Sequence, residues 1–443
     1  MAEKSSIYKP RPVTGFPEWL PEVRLVEQRW LDTIRAVFES YGFCSVETPS
    51  VEEIAILEAK GEDVDKEIYA LNRLQGDASP EESRVALHYD LTVPLARYVA
   101  QHYQDLVFPF KRYQIQKAWR GERPQEGRFR EFLQCDIDVI DNDTLALSFD
   151  AEMPAIAHEI LSRLAIGAFT LRLNNRKILA GFYEGLGIED TTPVLRIADK
   201  LDKIGAQGVV RTLEEQLGLS SGLASKCLRI AEIQTTDTGF EAQVRALGVR
   251  HAHLDEGLGE LAFVMDALGD LPPGSIVADM SIARGFDYYT GTVYEGKWAD
   301  YPEYPSICSG GRYDDLASAY IRKRLPGIGI SIGLTRIFAK MVRHGRLQLG
   351  AKTPTEVLVA FVKGAERAQV AATAARLRRR GFKVEMYHEP RKLEAQLRYA
   401  NRKGIAHVWF PGTEGMAHEV KTLATGTQCA ADPETWQPDA PPA

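Results

Sequence analysis

Two stretches of alternating residues, 110–120 and 128–138, govern how this chain can fold, because each carries its polar side chains on one side. In the first, Arg112, Gln114, Gln116, Ala118 and Arg120 recur at every second position; in the second, Arg128, Arg130, Phe132, Gln134, Asp136 and Asp138 do the same. Successive side chains on a β-strand point to opposite faces, so each set shares a face of its strand. Polar groups in that number are too costly to bury in an ordinary core hairpin unless each finds a partner. The face therefore reads as the wall of a ligand site. Between the strands, Gly121, Pro124 and Gly127 turn the chain, while Arg120, Arg123, Arg128 and Arg130 supply guanidinium forks that match phosphate oxygens. Phe132 adds a flat ring on which a nucleotide base can stack.

With 443 residues and 44% hydrophobic content, the chain can bury more than one core, and two or three domains are expected. Residues 1–11 hold no apolar run of signal-peptide length, and no stretch approaches the roughly 20 apolar residues of a membrane span. The expected location is the cytoplasm, with no membrane partner. Five cysteines (Cys44, Cys135, Cys227, Cys308, Cys429) are an odd number without CxxC spacing, so they read as reduced thiols rather than a disulfide framework or zinc site. The net charge of −7 argues against a nucleic-acid binder until it is divided along the chain. Residues 353–412 hold twelve basic residues to five acidic, a local excess that points to RNA contact in the C-terminal segment.

Helical spacing of Val23, Val26, Trp30, Ile34, Val37 and Phe38 predicts a helix over 22–41, closed by Gly42 and followed by a strand at 43–47. A second amphipathic helix is expected over 150–164. From about 174 to 271 the pattern is helical and polar, implying an inserted subdomain. Within it, His251-Ala252-His253 has the spacing of a metal pair, but no cysteine or third histidine is near in sequence, so the two read as surface histidines. Beyond a linker at Gly350 and Pro354, strands at 357–362, 383–387 and 406–410 alternate with helices at 365–380 and 392–403. Such alternation predicts a small α/β domain with a partly parallel sheet. The proline-rich residues 432–443 read as a disordered tail.

The hairpin loop also carries a family resemblance. Arg120-Gly121-Glu122 with Arg128 and Phe132 resembles motif 2 of the class II aminoacyl-tRNA synthetases, and residues 127–132 with Gln134 are similar to its histidyl-tRNA synthetase version. His88-Tyr89-Asp90-Leu91-Thr92-Val93-Pro94 resembles that family's amino-acid-binding segment. Residues 284–293 and 308–314 resemble its two histidine-specific signatures, residues 327–336 motif 3, and residues 22–49 motif 1. The implied fold class is α/β (α+β): a class II synthetase antiparallel-sheet catalytic domain over 1–350 with a helical insertion at about 174–271, then a mixed α/β anticodon-binding domain over 353–430 and a tail from 431 to 443.

The resemblance implies a ligase that joins histidine to ATP as histidyl-adenylate and then transfers it to the 3′ end of its cognate tRNA. By the same resemblance, Arg120 and Arg284 are catalytic, facing the α-phosphate and the substrate carboxylate. Asp90, Thr92 and Gln134 are implied ammonium ligands. Asp138 and Tyr289 are the implied imidazole partners, and Tyr288 is counted with them in the histidine site. Strict alternation aligns Tyr288, not Tyr289, with Arg284, so either Gly285 bends the chain or one tyrosine is structural. Tyr294, Trp298 and Tyr313 read as packing residues. For ATP, Glu122 is implied to accept from the adenine amino group, Arg128 to hold the terminal phosphates, and Phe132 with Arg336 to sandwich the base. Mg²⁺ would arrive with ATP, no metal site of the protein's own is implied, and the helix at 22–41 would build a homodimer. Three positions depart from the family pattern: His88 in place of arginine, Ser309 within a glycine run, and Glu18 in place of aspartate. His88 adjoins the segment expected to face the tRNA end. The alternative is a non-catalytic, histidine-sensing regulatory subunit of ATP phosphoribosyltransferase, which shares the body but lacks the anticodon-binding domain.

Overall fold

The computed structural model describes residues 8–58, 67–73, 84–283, 289–314, 317–318, 320–412 and 416–438, the side chain of Asp202 excepted. Arg284 and Tyr288 lie outside these residues. Contacts divide the chain into two compact units, Met1–Glu18 with Leu31–His344, and Trp19–Trp30 with Gly345–Ala443.

The first unit is built on a nine-stranded sheet in the order Cys44–Ser45, Phe110–Trp119, Glu131–Ile140, Gly327–Gly333, Cys308–Tyr313, Tyr289–Trp298, Phe169–Asn175, Ile276–Asp279, Gln234–Thr235. Neighbours run antiparallel except at Cys44–Ser45 against Phe110–Trp119 and at Phe169–Asn175 against Ile276–Asp279. The central hairpin pairs Phe110 with Ile140 and continues without a slip to Trp119 with Glu131. Its ladder is shorter than the alternation suggested, so Arg120, Arg128 and Arg130 sit in the connecting loop. Gly127, at φ +76°, turns the chain there, between the bridged residues Gln125 and Arg128. The polar side chains of the incoming strand do find partners. Gln114 donates to Thr48 Oγ1, and Gln116 to Thr48 O and Ser50 Oγ, each at 3.1 Å.

The first helix runs Pro21–Ser40, with Ile34, Val37 and Phe38 fully buried and Gly42 at φ +79° ending it. The expected strand at 43–47 is only Cys44–Ser45, a two-residue parallel contact with Arg112 and Tyr113. A helix at Thr92–Gln101 was not foreseen; it starts where the Asp90 carboxylate accepts the Val93 amide at 3.1 Å, with Pro94 in its first turn. The second amphipathic helix spans Ser148–Arg163. The insertion is helical as expected, from Arg176–Gly185 to Ala252–Ala267. It also lends the two-residue strand Gln234–Thr235 to the sheet edge, too short to leave a periodic signal.

In the second unit, five strands take the order Val384–Met386, Val357–Val359, His407–Phe410, Glu419–Thr422, Gln428–Ala430. The first two pairings are parallel, the last two antiparallel. The helices are Arg367–Arg379 and Leu393–Lys403. The end of the chain departs from the expected disordered tail. Residues 432–438 turn back, and the Trp436 ring lies 5.5 Å from Trp409 and 5.2 Å from Phe382, while Arg380 donates to Pro433 O at 3.0 Å. One tryptophan offsets the proline-rich composition because it finds a ring-lined seat.

One buried ion pair fastens the sheet to the helix behind it. Arg312 Nε lies 3.2 Å from both carboxylate oxygens of Asp150, and Arg312 Nη2 donates to Leu145 O at 3.2 Å. Asp150 is fully buried, and burial raises its pKa against the pull of Arg312. Removing one side of such a pair strands the other charge and costs about 3–5 kcal/mol. Guanidinium denaturation of Arg312→Leu should read a loss of that size, and an unchanged midpoint would mean that the pair contributes nothing.

Candidate active site

A cavity of about 350 Å³ opens over the polar face of the central hairpin. Asp90, Thr92, Arg120, Gln134, Asp138 and Tyr289, all singled out in the sequence, line it together with Asp136 and Tyr313. Arg120, Gln134 and Arg336 pass on into an adjoining recess with Glu122 and Phe132. Arg128 joins Arg120, Glu122 and Arg336 around a wider outer opening. Every expected site residue within the described chain is thus brought to one continuous depression.

Its floor is a deeply buried ion pair whose Asp138 side borders the cavity. Arg112 Nη2 lies 2.7 Å from Asp138 Oδ2 and 3.1 Å from Leu91 O, and the Tyr313 hydroxyl donates to Asp138 Oδ1 at 3.0 Å. Burial pushes the Asp138 carboxyl up, while Arg112 and Tyr313 hold it down. Gly329 faces Asp138 across the ladder, and a Cβ there would stand 2.2 Å from Asp138 Oδ1. Only glycine lets the carboxylate take this position.

Around that floor, among the described residues, three buried acceptors lack donors: Asp90 Oδ2, Gln134 Oε1 and Asp136 Oδ1. Gln134 is oriented by its own amide, which donates to Ser331 Oγ at 2.8 Å, so the oxygen is left for something else. Burial raises Asp90 to about 6, opposed by the Val93 amide and Arg120, and raises Asp136 to about 7, opposed by Arg112. Native interiors rarely leave acceptors unmet, so the cavity suits a ligand rich in N–H donors.

Towards the opening the charge reverses. Arg120 Nε donates to Tyr89 O at 3.1 Å, and its guanidinium covers the Phe132 ring at 5.1 Å. Arg336 Nε donates to Gly127 O at 2.7 Å; burial and the neighbouring Arg120 lower its pKa. Arg128 and Glu122 pair with each other at 2.9 Å. These cations line the adjoining recess and the outer opening, where an extended polyanion can lie.

Sequence reasoning missed Arg112 and Tyr313 as builders of the site. Arg112 stood on the right face, but its pairing with Asp138 depends on the ladder register, which the loop sets. Tyr313, expected to pack, both packs and orients a carboxylate. Tyr294 and Trp298 do pack, and each hands its polar atom to a carbonyl, of Asp150 and Ile166. Tyr289 lines the cavity, and the pairing register shifts between it and Val293; the run from Arg284 to Tyr288, on which the alternation rests, lies outside the described residues. His88 is fully buried, its ring nitrogens 3.1 Å from Pro49 O and 2.7 Å from Lys117 O. It staples two segments. Ser309 is exposed at the rim of the cavity.

The chain matches the family model described as histidyl-tRNA synthetase over residues 15–337. It is 59% identical to the histidine–tRNA ligase of Thermobifida fusca (strain YX), covering 97% of this chain and 98% of that one. Against the histidine–tRNA ligase of Micrococcus luteus it is 48% identical, over 99% and 97% of the two chains. The crystal structure of histidyl-tRNA synthetase from Nostoc sp. PCC 7120 superposes with a TM-score of 0.84 at 36% identity, covering 97% of each chain. An ATP phosphoribosyltransferase regulatory subunit/histidyl-tRNA synthetase from Bacillus halodurans shares the fold at a TM-score of 0.74 and 20% identity, over 93% and 100% of the two chains. On its motifs, its fold and relatives matched end to end, this chain belongs to the histidyl-tRNA synthetase family.

Proposed function

We propose that the cavity over Asp138 takes histidine and the arginine-lined opening takes ATP, so that the chain works as a histidine–tRNA ligase in two steps. Two of the donor-less acceptors, Asp90 Oδ2 and Gln134 Oε1, carry this reading. Asp90 Oδ2 and Gln134 Oε1 receive the ammonium group, with Thr92 beside them, and Asp138 receives an imidazole N–H with Tyr289 on the facing wall. The substrate carboxylate is then turned towards Arg120.

In the first step a carboxylate oxygen attacks the α-phosphorus, and the bond to the bridging oxygen breaks to release pyrophosphate. Both reactants are anionic, so the site must neutralise charge while leaving the in-line path open. Arg120 bridges the carboxylate and α-phosphate, and Arg284 balances the charge that develops there. Glu122 accepts from the adenine amino group, Phe132 and Arg336 flank the base, and Arg128 swings from Glu122 to the terminal phosphates. ATP is bound as its Mg²⁺ complex, the ion screening the β- and γ-phosphates. In the second step a ribose hydroxyl at the tRNA 3′ end attacks the activated carbonyl and AMP leaves.

The second unit supplies the contact with the anticodon arm. Its basic excess is partly used internally: Arg376 pairs with Glu434 at 3.6 Å, Arg378 donates to Val384 O at 3.1 Å, and Arg380 holds the final turn. Arg379, Arg398 and Arg402 are exposed and remain for phosphate. Among the described residues no helix is long and apolar enough to cross a membrane. Work in the cytoplasm as a homodimer fits the reading. A purely regulatory, histidine-sensing role is not favoured, since the curated relatives matched along the whole chain are ligases.

Three measurements test this. Arg284→Ala should slow histidine-dependent ATP–pyrophosphate exchange by on the order of a hundred- to a thousandfold, the cost of deleting one transition-state charge contact, with a far smaller change in substrate affinity. Unaltered exchange would remove Arg284 from the chemistry. Asp138→Asn keeps the side-chain volume, yet it should weaken histidine binding by on the order of ten- to a hundredfold in calorimetric titration and relax discrimination against other amino acids. Parent-like binding would hand selection to Tyr289. Finally, Arg379→Ala, Arg398→Ala and Arg402→Ala combined should leave exchange intact but weaken tRNA binding, with the salt dependence shallower by about one unit per lost phosphate contact. An identical salt slope would make the basic surface a solvated face only.

A further inference from the structure

The helices that enter and leave the insertion, Arg176–Gly185 and Ala252–Ala267, meet along a seam where backbone touches backbone. A Cβ at Gly181 would stand 2.2 Å from Leu254 N, and one at Gly185 2.5 Å from Val249 Cγ1. No other residue type fits at Gly181, and any side chain at Gly185 would have to displace Val249. Glu184 lies between these glycines on the entering helix, so the main-chain contact at Gly181 and the side-chain contact of Gly185 with Val249 hold it close to the start of the leaving helix.

Three side chains converge there. Glu184 Oε2 lies 2.8 Å from His253 Nδ1 and 3.0 Å from His251 Nδ1, and the ligand atoms of all three fall within 4.8 Å of one another. The two imidazoles stand nearly perpendicular, ring centres 5.1 Å apart. His251 Nδ1 is shut off from solvent and makes no hydrogen bond among the described residues, although a carboxylate oxygen is so near. The approach is close but misaligned. That geometry is expected where lone pairs aim at a common point between the groups instead of at each other. A tetrahedral ion about 2.0–2.1 Å from each donor would hold its donors roughly 3.4 Å apart, within the spread seen here.

We propose that Glu184, His251 and His253 form a binding site for a divalent transition-metal ion, Zn²⁺ by its donor chemistry, that clasps the base of the helical insertion. Two imidazole nitrogens and one carboxylate oxygen select a borderline first-row ion over Mg²⁺ or Ca²⁺, which take oxygen ligands. The ion takes the place of the proton that His253 Nδ1 otherwise shares with Glu184. His253 is half exposed, at 56% of its side-chain surface, which leaves an entry path and room for a water as fourth ligand. The sequence hid the set because 69 residues separate Glu184 from His253. None of the three lines the cavity or its openings, so the site is independent of the ligase reading.

The test uses the full chain, freed of metal with a chelator and titrated with ZnCl₂ alone by calorimetry at neutral pH. The background carries Cys44→Ser and Cys429→Ser, because those thiols are exposed and would compete. Expected is one equivalent of Zn²⁺ per chain, weakened at least about tenfold in His253→Ala and in Glu184→Gln, a change that even outer-shell substitutions produce at metal sites. Zn²⁺ should also raise the Tm of the parent by mass action and leave that of His253→Ala unmoved. Histidine-dependent exchange should be equal with and without the ion. The proposal is overturned if the parent shows no such binding, or if parent and both variants give the same isotherm and the same Tm shift.

Discussion

Arg112 is a guanidinium with no exposed surface, and it joins the two halves of the proposed histidine pocket. Through Nη2 it holds the Asp138 carboxylate on one strand and the Leu91 carbonyl just before the Thr92–Gln101 helix. Asp90, the proposed ammonium acceptor, precedes that carbonyl by one residue. The distance between the two recognition carboxylates is therefore set by one planar group. Its charge also makes the pocket tenable. Asp90, Asp136 and Asp138 are all buried, and burial raises each of them; Arg112 is among the influences that pull each back down. Replacing it by an apolar residue would leave three desolvated acids facing one another, a far greater cost than the loss of one bond.

A pocket arranged in this way favours a ligand that brings N–H donors. Gln134 and Asp90 each spend one polar atom on the protein, at Ser331 and Val93, and turn the other into the cavity. Such groups cost stability while the cavity lacks a donor, and they reward a substrate whose N–H groups meet them. In the proposed reading, selectivity for histidine over an isosteric apolar side chain follows from the penalty as much as from the attraction.

Much of this was legible in the sequence, and what was not has identifiable causes. Alternation placed Gln134, Asp136 and Asp138 on one face, and the motifs located Asp90, Arg120 and Tyr289 at the same cavity. Register was not legible, since it depends on where the loop closes; hence Arg112 opposite Asp138 and Gly329 beneath it went unread. The shift after Tyr289 was equally hidden, because a bulge leaves no periodic trace. The tail misled through composition: average polarity says disorder, but Trp436 has a specific aromatic seat beside Trp409. Glu184 and the His251–His253 pair show the commonest blindness, that of residues distant in sequence and adjacent across a helix seam.

The same seam bears on how the molecule assembles. Leu171 pairs in parallel with Ile276, and the whole insertion intervenes between those two strands. Parallel pairing over so long a loop is slow, because the chain must surrender loop entropy before any strand contact rewards it. The Arg176–Gly185 and Ala252–Ala267 helices adjoin those strands and close against each other through glycines. Once they zip together, the two strand ends are already neighbours. The insertion is thus a device that shortens the effective loop, because its glycine-lined seam brings together the strand ends that the parallel pairing needs.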